Sequence, residues 1–349
     1  MIISRAPVRI SFAGGGTDLP TFFQQHGGAV ISATLDKYVY VILTVHGGNE
    51  LQILSSDYRT FYRHTPGTVL LWEGDLNLPK AILHEFGIDT GVSMFIASEV
   101  PPGTGLGSSS TFTVAAIKAV SAACGRTLSK EEVARWATRI ELEKMGAPIG
   151  YQDQYAAAYG GLNFMEFSAE GTRVTPLHPP PGVLEKLQQN LLLFFTGTAR
   201  ESSRILARQR AAAEKREETV MQALLAARAM AYELRDALLR GDLSGFGERL
   251  HAGWELKKKF ASGITNAAID AAYEKARAHG AIGGKITGAG GGGFMMVYCS
   301  DGTQMAVTAA LEAEGLRRMN FRFEEGGARV LLNAGLRLPE TISLEAETA

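Results

Sequence analysis

The chain opens with apolar residues alternating with small polar ones in "IISRAPVRISFAG" (2–14), the period of a half-buried strand. A β-branched and aromatic run, "AVISATLDKYVYVILTVH" (29–46), predicts a second strand, and "VSMFIASEV" (92–100) a third. The third runs into "PPGTGLGSSS". From Ser109 onward Thr113, Ala116, Ile117 and Val120 predict a buried helix that stops at Gly125. Ser129 with Glu132 three positions later is a capping-box pattern, so the next helix is expected to start there and carry Trp136, Ile140 and Glu141.

The texture changes after "AYGGLNFMEF" and the prolines at 179–181, which mark the expected boundary between a first domain (1–182) and a second (183–349). Beyond it lie a buried strand, "LLLFFTG", and two or three Ala-, Arg- and Glu-rich helices between about 200 and 260, broken near "RGDLSGFG". A helix from Asn266 to His279, a strand "GFMMVYC", a helix from Gln304 to Glu314 and a last strand near "ARVLLN" complete an α+β second domain. No internal repeat is visible, and the tail "SLEAETA" reads as frayed.

Composition narrows the class. The 349 residues are 46% apolar and 20% charged, the profile of a folded globular chain rather than a disordered one. Thirty-five basic residues against 36 acidic ones give a net charge of −1, without the basic excess of a nucleic-acid or membrane-surface binder. No apolar run approaches the ~20 residues of a membrane span, and the start lacks a signal-peptide core. The two cysteines, Cys124 and Cys299, build no disulfide framework, so the expected compartment is a reducing cytoplasm. Cys-x-x-Cys and His-x-x-x-His pairs are absent, which argues against a structural zinc site.

Glycine is abnormal at 40 residues, where ordinary usage gives roughly 24. Thirteen fall in three windows, 14–16, 103–107 and 283–293. The middle window joins a strand to a helix, and three serines follow it. Free amides and the positive end of the helix dipole make that junction an anion site. It is no Walker A loop, since no lysine follows Gly107, and no dinucleotide fingerprint, since helix rather than strand follows. "GAGGGG" (288–293) matches G-x-G-x-x-G literally but enters a strand, so the motif's context is missing.

Phosphoryl transfer needs a phosphate cradle, oxygen ligands for Mg²⁺, a group to orient or deprotonate the acceptor, and a cation. Ser108 or Ser109 with Glu141 could supply the metal ligands, Asp153 the acceptor group and Arg9 the cation. Each has a plainer reading. Asp153 could cap the helix "QYAAAY", and Glu141 could be a solvated helix residue. An arginine in an apolar strand is harder to dismiss, because unpaired burial is costly.

These residues resemble the GHMP kinase superfamily, whose three motifs stand in order as "APVRISFAGGGTDLP", "PPGTGLGSSST" and "KITGAGGGGF". With "GAPIGYQDQYAAAYGG", the variant resembles most the heptose 7-phosphate kinase branch. The resemblance implies an α+β fold with a ribosomal protein S5-like N-terminal domain and a ferredoxin-like C-terminal domain. It implies ATP and Mg²⁺ as cofactors and a sugar phosphate as acceptor, phosphorylated at its anomeric hydroxyl. Carried over by position, Pro102, Gly103, Thr104, Gly105, Leu106, Gly107, Ser108 and Ser109 form the ATP-phosphate loop. Ser109 and Glu141 hold the metal, Asp153 is the catalytic carboxylate, and Arg9 stands where anomeric sugar kinases keep an arginine. Gly15, Gly16, Thr17, Asp18, Gly288 and Gly290 are the expected substrate contacts. Galactokinase carries an acidic residue and a histidine at the positions of Gly15 and Gly16, which argues against galactose. Tyr151 stands where the heptose branch has lysine, so the residues leave the sugar open. Arg200, with Thr196, Gly197, Ser202 and Arg204 in "FFTGTARESSRIL", is a candidate clamp for a sugar phosphate; Arg200 and Arg204 could equally share a solvated helix face. A kinase of an unphosphorylated, L-fucose-like sugar and a non-catalytic sugar sensor remain alternatives.

Overall fold

The computed structural model describes residues 1–338 apart from 46–49, 58, 66, 67, 69 and 198–201. The alternating start of the chain forms β1 (Ile2–Ala13), which runs antiparallel to β2 (Gly28–Val45) across the short helix α1 (Pro20–His26). At 18 residues β2 is much longer than an ordinary strand, and it serves two neighbours in turn. Residues 28–33 pair with β6 (Leu162–Ser168), and residues 39–45 with β5 (Val92–Ser98). β3 (Leu51–Ser55) and β4 (Thr60–His64) continue the sheet beyond β5, and β7 (Gly171–Pro176) continues it beyond β6.

Four helices accompany this sheet: α2 (Asn77–Glu85), α3 (Ser108–Ala123), α4 (Lys130–Thr138) and α5 (Gln152–Tyr159). Their small residues let α3 sit close on β1 and β2; Ala115, Ala116 and Ala119 are fully buried. The capping box forms as expected, with Ser129 Oγ accepting from the Glu132 amide and Glu132 Oε2 accepting from the Ser129 amide. The helix it opens does not continue regularly to Glu141. Residues 139–144 widen into one π-helical turn, with the Met145 amide reaching back to the Ile140 carbonyl.

The second unit begins with α6 (Val183–Asn190) and β8 (Leu191–Phe195). It continues through α7 (Ser202–Glu214), α8 (Glu218–Arg240), α9 (Leu243–Lys257), α10 (Ala267–Ala278), β9 (Ala281–Ile286), β10 (Phe294–Cys299), α11 (Gln304–Ala313) and β11 (Arg317–Met319). The strands make one antiparallel sheet in the order β11-β8-β10-β9. Asp242 and Asn266 cap α9 and α10 with their side chains, and Trp254, Tyr273, Phe194 and Phe260 fill a second core, which Phe22 of α1 joins from the first unit. Residues 6–13 of β1 are buried without alternation because helices of both units pack on it, α3 and α5 from one and α8 and α9 from the other.

One expected element moves. By its place in the chain the last strand, β12 (Arg329–Asn333), is expected in the second domain. It pairs instead with β1 at the edge of the first sheet, so the chain returns to its starting unit. Segment 339–349, including the tail expected to fray, lies outside the described residues.

Candidate active site

A cleft of about 810 Å³ lies between the units, and Pro102, Gly103, Gly105, Gly107, Ser108 and Ser109 line it. Thr104 and Leu106 do not reach it. Both are fully buried and act through their carbonyls, Thr104 accepting from the Phe294 amide at 3.2 Å and Leu106 from the Arg9 amide at 3.1 Å. The Gly105 carbonyl likewise accepts from Arg9 Nη1 at 2.8 Å. The first residues of α3, Ser108 to Ser110, also line the cleft, and the amides of a helix's first turn have no intrahelical partner, an arrangement that suits an anion. Gly107 has to be glycine for two reasons. Its φ is +77°, and a Cβ there would lie 3.0 Å from Asp153 Oδ2.

Arg9 and Asp153 form the centre. Arg9, 3% exposed on β1, gives both Nε (2.7 Å) and Nη2 (2.5 Å) to Asp153 Oδ1. Oδ2 is left toward Gly107 and the cleft, which both residues line. The capping alternative for Asp153 fails on geometry: it sits inside the first turn of α5, whose N-cap is Tyr151, and no side chain caps that helix.

Glu141 is also buried rather than solvated, 2% exposed at the cleft wall. Gln154 Nε2 donates to its Oε2 at 2.5 Å, and Ser109 Oγ lies 3.5 Å from its Oε1. Burial pushes its carboxyl up to about 7, against the hydrogen bonds from Gln154, Ser110 and Thr113; the Asp153 charge adds to the rise. The π turn carrying Glu141 is tied at both ends. Arg139 and Lys144 both pair with the buried carboxylate of Glu85 on α2. Among the described residues no three His, Cys, Asp or Glu side chains gather into a metal cage. One carboxylate and a hydroxyl facing a phosphate cradle nevertheless suit Mg²⁺, which completes its shell with phosphate oxygens and water.

The first glycine window forms the other end of the cleft. Gly15, Gly16 and Asp18 line it. Asp18 is 2% exposed, and its oxygens accept from the Gly16 amide (2.8 Å), the Gln152 amide (3.1 Å) and Gln152 Nε2 (3.1 Å). Burial, and then the Asp153 charge, raise its carboxyl above the usual range. Thr17 departs from expectation. Its hydroxyl donates to the Gly14 carbonyl at 2.7 Å and accepts from the Ala29 amide at 3.1 Å, so it ties the loop to β2 away from the cleft. Tyr151 packs edge-on against Phe23 and Phe167, outside the cleft lining.

The third window does something the motif alone does not reveal. Gly288 lines the cleft, but Gly290 is packed against Ile264 instead. The loop's main contact is with the phosphate loop: a Cβ on Gly288 would stand 2.5 Å from the Gly105 Cα, and one on Gly105 would stand 2.6 Å from the Thr287 carbonyl. Two buried lysines outside the expected site residues lie beside it at the cleft, and one of them bonds to it. Lys257 donates to the Ile286 and Gly288 carbonyls at 2.8 and 2.5 Å, and burial drives its ammonium well below the usual lysine range. Lys285, donating to the Phe12 carbonyl at 3.3 Å, is lowered to about 7 by burial and then by Arg9, with Asp18 opposing. Arg200 lies outside the described residues, and Arg204 is exposed on α7.

A family model for the GHMP kinases N terminal domain matches residues 77–161, and one for the GHMP kinases C terminal matches 234–316. D-glycero-alpha-D-manno-heptose 7-phosphate kinase of Campylobacter jejuni is 30% identical over 94% of this chain and 98% of its own length. The crystal structure of a D-glycero-D-manno-heptose 1-phosphate kinase from Bacteroides thetaiotaomicron superposes with a TM-score of 0.79 at 28% identity, covering 95% of this chain and 99% of that one. Methanococcus jannaschii mevalonate kinase, at 22% identity and a TM-score of 0.69 over 92% and 98% of the two chains, shares the fold. ATP is the phosphate donor of this family. With both family models matched in order and a relative 30% identical over nearly its whole length, the chain belongs to the GHMP kinases and is a phosphotransferase that acts on an alcohol group.

Proposed function

We propose that the protein transfers the γ-phosphoryl group of ATP to the anomeric hydroxyl of D-glycero-D-manno-heptose 7-phosphate, giving the 1,7-bisphosphate, with Mg²⁺. The observation that carries the reading is the Arg9–Asp153 pair, with one carboxylate oxygen unspent beside the glycine loop. In this reading the acceptor lies at the Asp18 end and the nucleoside beyond the phosphate loop, toward Asp57 and Asn77. Asp153 Oδ2 takes the proton of the anomeric hydroxyl as its oxygen attacks phosphorus. Arg9 holds Asp153 in place through Oδ1 and offsets charge that builds on the transferring group. The loop amides hold the phosphates, and Asp18 accepts from sugar hydroxyls. Glu141 and Ser109 would hold Mg²⁺, which supplies charge neutralisation across the phosphate oxygens. Arg200 is proposed to meet the 7-phosphate. The named relatives support a heptose phosphate as acceptor, but their names differ on where its phosphate sits. ATP consumption with Mg²⁺, measured across free and phosphorylated hexoses and heptoses with ³¹P NMR of the product, tests the reading. A new anomeric phosphate on the heptose 7-phosphate is expected; phosphorylation at another carbon, or preference for a free sugar, overturns it.

A further inference from the structure

Buried polar atoms almost always have partners, so several without one in the same place point to a missing ligand. Three such atoms line the cleft around Gly15 and Gly16: Ser11 Oγ, Gln152 Oε1 and Gln209 Nε2. Ser11 and Gln209 are 5% and 4% exposed. A Cβ on Gly15 would lie 3.6 Å from Ser11 Oγ and 4.0 Å from Gln152 Oε1, and one on Gly16 would collide with Gln209 Nε2. The three side chains come from β1, α5 and α7, so both units contribute. Lys285, 6% exposed in the same cleft, makes one bond at 3.3 Å and keeps further N–H donors.

Resting on the sugar-kinase reading above, we propose that Ser11, Gln152, Gln209 and Lys285 form a pocket that reads ring hydroxyls of the acceptor and so discriminates among sugar phosphates. The donors and acceptors decide between hydroxyl and phosphate. Gln152 Nε2 is committed to Asp18, which turns Oε1 outward as an acceptor. Gln209 offers a donor, Ser11 can do either, and Lys285 donates. A hydroxyl both gives and takes, so adjacent hydroxyls can satisfy all four. A phosphate dianion takes only, and here it would face the Gln152 oxygen and the Asp18 carboxylate behind it. The Lys285 charge is already opposed by Asp18.

Gln209→Leu tests the pocket, with D-glycero-D-manno-heptose 7-phosphate, D-mannose 6-phosphate and ring-deoxy forms of the latter as acceptors. Losing one hydrogen bond should lower kcat/KM for the full sugar phosphates about tenfold and leave the KM for ATP unchanged. One deoxy analogue should be used equally by variant and wild type, because it lacks the hydroxyl that Gln209 reaches. The Tm of the free variant should change little, since Nε2 of the amide has no partner to lose. Unchanged acceptor kinetics, or a lowered Tm with equal losses toward ATP and sugar, overturns the proposal. Ser11→Ala repeats the test should the leucine variant fail to fold. If the wild type phosphorylates none of these acceptors, the kinase reading falls separately. The thermal shift each acceptor gives without ATP then decides the pocket, and equal shifts in wild type and variant, including none, overturn it.

Discussion

At the phosphate-loop end of the cleft the key polar groups hold one another before any substrate arrives. Arg9 holds Asp153 and the Gly105 carbonyl, Gln154 holds Glu141, and Lys257 holds the loop that backs the cradle. At the Gly15–Gly16 end, Ser11 Oγ, Gln152 Oε1 and Gln209 Nε2 are buried with no protein partner. On the proposed function, the difference follows from what each end must do. Groups that meet charge in a transition state lower a barrier only if they need not reorient as that charge develops. Groups that recognise a substrate can wait to be completed by it, and the cost of leaving them unpaired is what rejects the wrong one. The comparison breaks if substitutions at the first end change acceptor affinity, or if those at the second change turnover alone.

The largest effect is expected from Asp153→Asn. The amide keeps the size of the side chain and can still accept from Arg9, but it cannot take a proton. Turnover should fall by ~10²–10⁴, with sugar affinity changing far less. Near-normal turnover would remove Asp153 from the chemistry and leave the first end a purely structural arrangement.

Glu141→Gln should sharpen the same end through stability. The folded-state carboxyl is raised to about 7 from 4.5, so the folded protein binds that proton more tightly than the unfolded chain does. Stability from this group is therefore lost as pH rises from about 4.5 through 7, and the loss is complete above that. The glutamine variant escapes it. Without Mg²⁺ at pH 8 its Tm should exceed that of the wild type by a few degrees, at roughly 2–4 °C per kcal/mol, while at pH 5 the gap should nearly close. Added Mg²⁺ should raise the Tm of the wild type alone. A Tm difference that does not vary between pH 5 and 8 would mean that the buried carboxylate carries no such penalty.

The two ends were also unequally legible in the sequence. Glycines at 103, 105 and 107 announce themselves because backbone demands leave few alternatives, and Arg9 stands out as a cation well inside an apolar strand. Lys257 sits in "ELKKKF", which reads as a solvated basic run; only the fold of α9 against β9 buries one of its three lysines at the cleft. Gln209, in "ARQRAAAE", looks like any polar helix position until α7 is placed over Gly16. Thr17 misled in the other direction, since its motif position says nothing about which way the hydroxyl turns. The return of β12 to the first sheet was hidden because strand pairing across more than 300 residues leaves no local trace.

The π turn is the subtlest case, and it yields the smallest expected effect. "RIELEK" has ordinary helix formers, so nothing local asks for a wider turn. In an α-helix, residues five apart point about 140° away from each other, and Arg139 and Lys144 could not both face one carboxylate. Adding a residue to the turn brings them onto one side, where Glu85, 4% exposed on α2, pairs with both. The winding is therefore stabilised from outside the helix, and it sets the direction in which Glu141 leaves the backbone. Glu85→Gln keeps the shape of that partner and removes its charge. The expected result is a several-fold rise in the Mg²⁺ concentration needed for half-maximal activity, with little change in the KM for the sugar, because partly exposed ion pairs of this kind are worth only about 1 kcal/mol each. Glu85→Asp, which restores the charge on a shorter arm, should recover part of the loss. A Mg²⁺ requirement unchanged in Glu85→Gln would show that Glu141 is aimed by its hydrogen bonds to Gln154, Ser110 and Thr113, and that the π turn is a passive consequence of packing.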